Sequence, residues 1–107
     1  MEFHFGGHCA SLVLTQQMLE EAQATSDMAE EFINYARSVQ GVELAVLFRE
    51  RQPGVYKVSL RSKKRVNVAE LAARFEGGGH QHAAGCTIEK NLPEVRAEIL
   101  KAIESVL

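Results

Sequence analysis

Four of the chain's eight glycines fall within nine residues, Gly77 to Gly85, in the stretch Glu76 to Ile88 that reads EGGGHQHAAGCTI. No other stretch restricts the fold as much. Glycine loses more chain entropy on ordering than any other residue and gives a core nothing to pack. Gly77, Gly78 and Gly79 in succession therefore point to bare backbone used for close approach. Their N–H groups can converge on a small concavity, and His80 adds a donor that can carry charge near neutral pH. The pattern predicts a binding loop for an anionic group, phosphate first among them. A plainer reading competes with it: residues Asn67 to Phe75 have helical spacing, so Gly77 also fits a helix C-cap. The C-terminal end of a helix carries partial negative charge, so an anion here needs the loop amides, His80 and a basic residue from elsewhere.

The rest of the chain supplies a small α/β frame. Cys9–Thr15 (CASLVLT) reads as a buried strand, and Thr15 caps a short helix over Gln16–Ala22 before a polar link over 23–26. Asp27 with Glu30 opens a helix that Gly41 closes at Gln40, with Met28, Phe32, Tyr35/Ala36 and Val39 as its buried stripe. Asn34 and Arg37 lie off that stripe, free to face a ligand or water. Val42–Phe48 and Val55–Ser62 are strands joined through the Pro53-Gly54 turn signal, an antiparallel hairpin. Alternation places Val55, Lys57, Ser59 and Arg61 on one face of the second strand and Tyr56, Val58, Leu60 and Ser62 on the other. Asn67 caps a helix with Val68, Leu71, Ala72 and Phe75 inward. Ala84–Glu89 returns as a strand with Cys86 and Ile88 buried. Leu92-Pro93-Glu94 opens the last helix, whose Val95, Ile99, Ala102, Ile103 and Val106 cover the sheet. The fold class is α/β: one small domain with a mixed sheet of about four to five strands, a central antiparallel hairpin, and helices covering it.

At 107 residues the chain holds one core. Residues 9–107 are read as the domain, and Met1–His8 as a truncation boundary. No apolar run is long enough to span a bilayer, and the N-terminus lacks the basic start and apolar stretch of a secretory signal. Cys9 and Cys86 are read as reduced thiols of a cytoplasmic protein. His4, His8 and Cys9 make only a weak metal signal, three ligands without a fourth. Seven of the twelve basic residues lie between Arg49 and Arg65 against one acid, Glu50. A local basic patch on a mildly acidic chain suits a short anionic ligand better than long duplex DNA; lysines guarding an edge strand are the alternative.

Hydrolytic chemistry has little to work with. Asp27 is the sole aspartate and is needed as a cap, and His4, His8, His80 and His82 do not supply the converging set of a two-metal centre. Ser62 and Cys86 have no evident base and orienting partner. The chain is expected to bind, not to cut.

The segments GVELAVLFRE, VSLRSK and GGGHQHAAG, with the helix VNVAELAARF between them, resemble the C-terminal DHH-associated domain of the DHH phosphoesterases. The likeness is to the branch of bifunctional oligoribonucleases and phosphoadenosine-phosphate phosphatases, more distantly to RecJ-like exonucleases, and it runs from about Cys9 to the C-terminus. It implies a substrate-binding domain whose partner, an N-terminal DHH domain absent from this chain, holds manganese and performs the hydrolysis. It implies that Gly77, Gly78, Gly79 and His80 contact the substrate phosphate or sugar, that Arg61 and Ser62 contact phosphate or base, and that Arg37 and Asn34 are further candidates. The implied ligands are short single-stranded RNA or DNA, or a nucleoside bisphosphate. Glu76 stands where the family commonly has a fourth glycine, placing a negative charge beside the loop. Two alternatives remain: an RNA-binding module like the C-terminal domain of alanyl-tRNA synthetases, and a dimerisation module with homodimers formed through apolar surface.

Overall fold

The computed structural model describes residues 1–23 and 26–107. Ten elements follow in order: β1 (Glu2–His4), β2 (Cys9–Leu14), α1 (Gln16–Ala22), α2 (Ser26–Ser38), β3 (Leu44–Gln52), β4 (Val55–Ser62), α3 (Val68–Ala73), β5 (Gly78–His80), β6 (Ala83–Ile88) and α4 (Leu92–Glu104). The strands form one six-stranded sheet in the order β1-β2-β3-β4-β6-β5. Only β2 and β3 run parallel, joined by a crossover that carries α1 and α2.

The mixed α/β sheet is as expected, with two strands more than the pattern suggested. Glu2–His4, within the segment set outside the domain, pairs antiparallel with β2. The tri-glycine run is the other addition: Gly78–His80 is an edge strand on β6, not an open loop. Gly-Gly-His has no alternation to mark it as a strand.

Burial on the two faces explains the patterning. β3 is covered on both sides and reads as a continuous apolar run. Its Leu44, Val46 and Phe48 join Val58 and Leu60 of β4 in a core closed by α3 and α4, through Val68, Leu71, Val95, Ile99 and Ile103. Its Ala45 and Leu47 join Ala10 in a second, smaller core closed by α2. β4 has only its first face covered, so Tyr56, Val58, Leu60 and Ser62 are buried while Lys57 is exposed and Ser59 and Arg61 are half-buried. The alternation anticipated for β4 holds.

The buried stripe expected for α2 holds at Ala36 and Val39 but not at its aromatic residues. Ala29, Ile33 and Ala36 face the sheet, whereas Phe32 is 41% and Tyr35 67% exposed. Both stripes have helical spacing, and the aromatic one is more hydrophobic by size. The short one wins because α2 packs over Ala10 and Ala45, where a helix seated close against small residues leaves no room for rings. The helix also begins at Ser26, so Asp27 sits in its first turn and is not the cap. Residues 24 and 25 of the link expected over 23–26 lie outside the described residues. The other caps behave as read: Thr15 accepts from Met18 N–H at 3.2 Å, and Asn67 from Ala69 N–H at 3.0 Å.

The end of α3 is less comfortable. Glu76 has φ +62°, the left-handed conformation a glycine adopts without steric cost. Glu76→Gly is expected to stabilise the domain by about 0.5–1 kcal/mol once glycine's own entropy cost is deducted. A thermal melt would show the midpoint rising by about 3–5 °C; no rise would mean the strain is relieved some other way.

Candidate functional site

The uncovered half of the α2-side face is a trough floored by β4, β6 and β5. Cross-strand partners project from the same face of a sheet, so the register places the side chains in rows. Ala45 pairs with Arg61, Arg61 with Ala83, and Ala83 with His80. The neighbouring row runs Leu47, Ser59, Gly85, Gly78. Arg61 and His80 thus share one row and one face of the sheet with Ala83 between them, and the residues lining the concavity there take in Arg61 and not His80. A concavity of about 230 Å³ sits over these rows, lined among others by Glu30, Arg61, Gly78, Gly79, Ala83 and Gly85.

Each glycine has a separate reason to be one. A Cβ on Gly77 would run into the Gly85 carbonyl and stand 2.6 Å from Cys86 Cβ. Its N–H donates to the Ala72 carbonyl at 2.9 Å, closing the end of α3. Gly79 has φ +148° and a Cβ there would meet the Ala83 carbonyl oxygen at 2.6 Å. Of the three, Gly78 alone has open space where a Cβ would go. The expectation that all three amides converge on a ligand therefore needs correcting. Gly77 is spent on the fold, and Gly78 and Gly79 present the bare floor.

Arg61 is held in place by contacts within the chain. Its Nη2 donates to Glu30 Oε1 at 2.6 Å and Oε2 at 2.8 Å, its Nε to Oε1 at 3.2 Å, and its Nη1 to the Leu60 carbonyl at 2.9 Å. The pair is unequal in exposure: the Arg61 side chain is 13% exposed, that of Glu30 52%. Glu30 was absent from the sequence reading of the site. It lies four residues before Asn34 and seven before Arg37, on the same flank of α2, and that spacing is the signal that could have found it. Lys57 and Ser59, on the Arg61 face of β4, also line the concavity.

The remaining candidates fall elsewhere. Ser62 is buried on the opposite face from Arg61 and donates to the Val66 carbonyl at 2.7 Å, with His82 Nδ1 at 3.0 Å. It pins the loop that follows β4, and no ligand in the trough reaches it. The strand period of two predicts this: neighbours on β4 cannot share a face. Asn34 and Arg37 bond to each other, Arg37 Nη2 to Asn34 Oδ1 at 2.9 Å, and the lining of the concavity takes in neither. Lys63, next to Ser62, donates to the Val39 carbonyl at 2.9 Å, at the negative end of α2.

Other chemistry is limited. Among the described residues no three His, Cys, Asp or Glu side chains stand close enough to hold a metal ion; His4 Nε2 instead lies 2.8 Å from Ser11 Oγ. Burial pushes the Cys9 thiol up to about 12 and the Cys86 thiol up to about 11, so neither is a thiolate at neutral pH. No described helix is long and apolar enough to cross a membrane. A larger concavity on the other side of the molecule carries Glu76, Glu89 and Glu98 against Arg74 and Lys90, a poor lining for an anion.

A family model, the DHHA1 domain, matches residues 5–107. The chain belongs to the DHHA1 domain family. This DHHA1 domain is 37% identical over 106 residues to a bifunctional oligoribonuclease and PAP phosphatase, NrnA, of Thermus thermophilus, covering 98% of the present chain and 31% of that protein. A probable protein of the same description from Streptococcus mutans is 33% identical over 76 residues, 71% of this chain and 24% of that one. The chain thus spans under a third of the length of these relatives. Among solved structures, an exopolyphosphatase-related protein of Bacteroides fragilis superposes with a TM-score of 0.78 at 28% identity, over 89% of this chain and 28% of that one. The C-Ala domain of Aquifex aeolicus alanyl-tRNA synthetase superposes at 0.68 with 14% identity, over 92% and 89%, a likeness of fold alone.

Proposed function

We propose that this DHHA1 domain is the substrate-recognition module of a cytoplasmic DHH phosphoesterase, and that its trough holds a phosphate of a nucleotide or short single-stranded oligonucleotide. The observation that carries the reading is the cross-strand row in which Arg61 and His80 face the same way across Ala83. The guanidinium supplies a planar, charge-assisted grip on phosphate oxygens. His80, exposed at the strand end, supplies a second donor. The floor of Gly78, Gly79 and Gly85 lets the ligand lie against backbone. Hydrolysis is assigned to manganese ions on a separate domain of a longer parent, as the family resemblance implies; the names of the relatives give oligoribonuclease and PAP phosphatase activity to those longer proteins.

The test is a titration of the chain with a 5′-phosphorylated dinucleotide, followed through backbone and Arg side-chain N–H resonances. Shifts are expected at Gly78, His80 and Arg61, with Gly77 and Ser62 still. A spectrum unmoved at millimolar ligand, or shifts confined to the exposed face of α2, would overturn the reading in favour of an interaction module.

A further inference from the structure

The cation that marks the trough already carries an anion. A guanidinium has five N–H donors, and a forked grip on phosphate uses two of them on one edge. In Arg61 the edge made by Nε and Nη2 is taken by Glu30: both carboxylate oxygens accept from Nη2, and Oε1 accepts from Nε as well. Nη1 donates to the Leu60 carbonyl. Glu30 is also the one acid among the described residues lining the trough. It borders the concavity over Gly78 and Gly79 and a smaller one of about 130 Å³ that adjoins it.

The fold has little use for this pair. Ala29, Ile33 and Ala36 seat α2 on the sheet, and Glu30 follows Ala29 directly, so packing fixes its position without the ion pair. A pair whose carboxylate is half in water adds little to folding. What the packing does fix is where a negative charge lies. It rests on the donors a phosphate would use, and its side chain, 52% exposed, has open solvent to swing into when displaced.

We propose that Glu30 is a specificity-determining residue: its charge removes the advantage that a terminal phosphate would otherwise have over an internucleotide phosphodiester. The proposal rests on the reading of the Arg61 trough given above and deepens it. A phosphodiester carries one negative charge, whereas a phosphate monoester carries close to two above its second pKa of about 6. Alone, Arg61 favours the doubly charged group. A phosphate at Arg61 also lies beside the carboxylate it displaces, so each of its charges is repelled. At a separation of about 6 Å in water that repulsion lowers affinity about threefold per unit charge. The extra attraction and the extra repulsion then cancel, and an internal linkage of a short chain is held as readily as its end.

Adenosine 5′-monophosphate and its methyl ester differ by one methyl group and one charge, and titration with each at about pH 8 tests this. Affinities are read from the Gly78 amide and the Arg61 Nε–H resonances of the wild type, Glu30→Gln and Glu31→Gln. Glutamine keeps the shape and helix propensity of glutamate, and Glu30 is exposed, so the variant keeps its fold. Glu31 is exposed and lines neither concavity, so Glu31→Gln reports net charge alone. The wild type is expected to bind the two ligands alike. Glu30→Gln is expected to tighten the methyl ester about threefold and the monophosphate about tenfold, with Glu31→Gln leaving both within about twofold of wild type. Weaker binding of both ligands to Glu30→Gln would make Glu30 a support for Arg61 and overturn the proposal. Equal tightening of both, no change, or the same shift in Glu31→Gln would also overturn it, and in each case the Arg61 reading stands. If neither ligand moves a resonance in the wild type or in Glu30→Gln, the Arg61 reading falls and the proposal with it.

Discussion

Arg61→Ala is expected to weaken binding of a 5′-phosphorylated dinucleotide by about 100-fold, because hydrogen bonds to charged groups contribute about 1.5–3 kcal/mol each and the guanidinium offers a forked pair. Arg61→Lys should recover little of this, since an ammonium has no fork to match two phosphate oxygens. Folding should change far less. The Arg61–Glu30 pair has its carboxylate half in water, and such pairs contribute about 1 kcal/mol or less. The pair also defines what a ligand does on arrival: phosphate must share or take the donors that now serve Glu30. Calorimetry on the variant, with a thermal melt beside it, separates the two effects. Wild-type affinity in a folded Arg61→Ala chain would remove Arg61 from the site.

Gly77→Ala is expected to destabilise the domain by about 3 kcal/mol or more, at the upper end for overpacking, because the added methyl meets backbone that cannot move aside. Cys86 Cβ and Cα stand 2.6 and 2.8 Å from where it would be, and the Gly85 carbonyl is closer still. The melting midpoint should fall by about 10–20 °C. Gly78→Ala, one residue on, meets nothing within 4 Å and should melt within a few degrees of wild type. Gly78 faces the trough, so its methyl should instead reduce affinity for the dinucleotide. Equal losses of stability in the two variants would contradict the division between a glycine that packs and a glycine that receives.

Much of the frame was readable from residue type alone, and the reasons are local. Asn67 and Thr15 cap because their side-chain oxygens reach the N–H groups of the next turn. β4 alternates because one of its faces is bare. Arg61 could be placed on the open face of β4 by counting in twos. What could not be read depended on a neighbour far along the chain. Whether α2 buries Phe32 and Tyr35 or Ala29 and Ile33 is decided by the alanines beneath it. Whether Gly77–His80 is a loop or a strand is decided by Ala83–Gly85 lying alongside. The site suffered in the same way. Glu30 reaches Arg61 across 31 residues of sequence. Ser62, which the family resemblance implies beside Arg61, is its neighbour in sequence, the one relation that a strand turns into opposition.

The single parallel pair in the sheet, β2 on β3, bears on how the trough comes into being. β3 meets β4 across a two-residue turn, and β4 meets β6 across residues 63–82, so the floor with Arg61, Gly78 and His80 is built within the downstream half of the chain. The wall with Glu30 waits on the crossover of residues 15–43, whose ends lie far apart until β2 docks. Closing the longer span costs more chain entropy. The floor and the wall of the trough therefore come from different halves of the chain, and the Glu30 carboxylate reaches the Arg61 guanidinium only once those halves have joined.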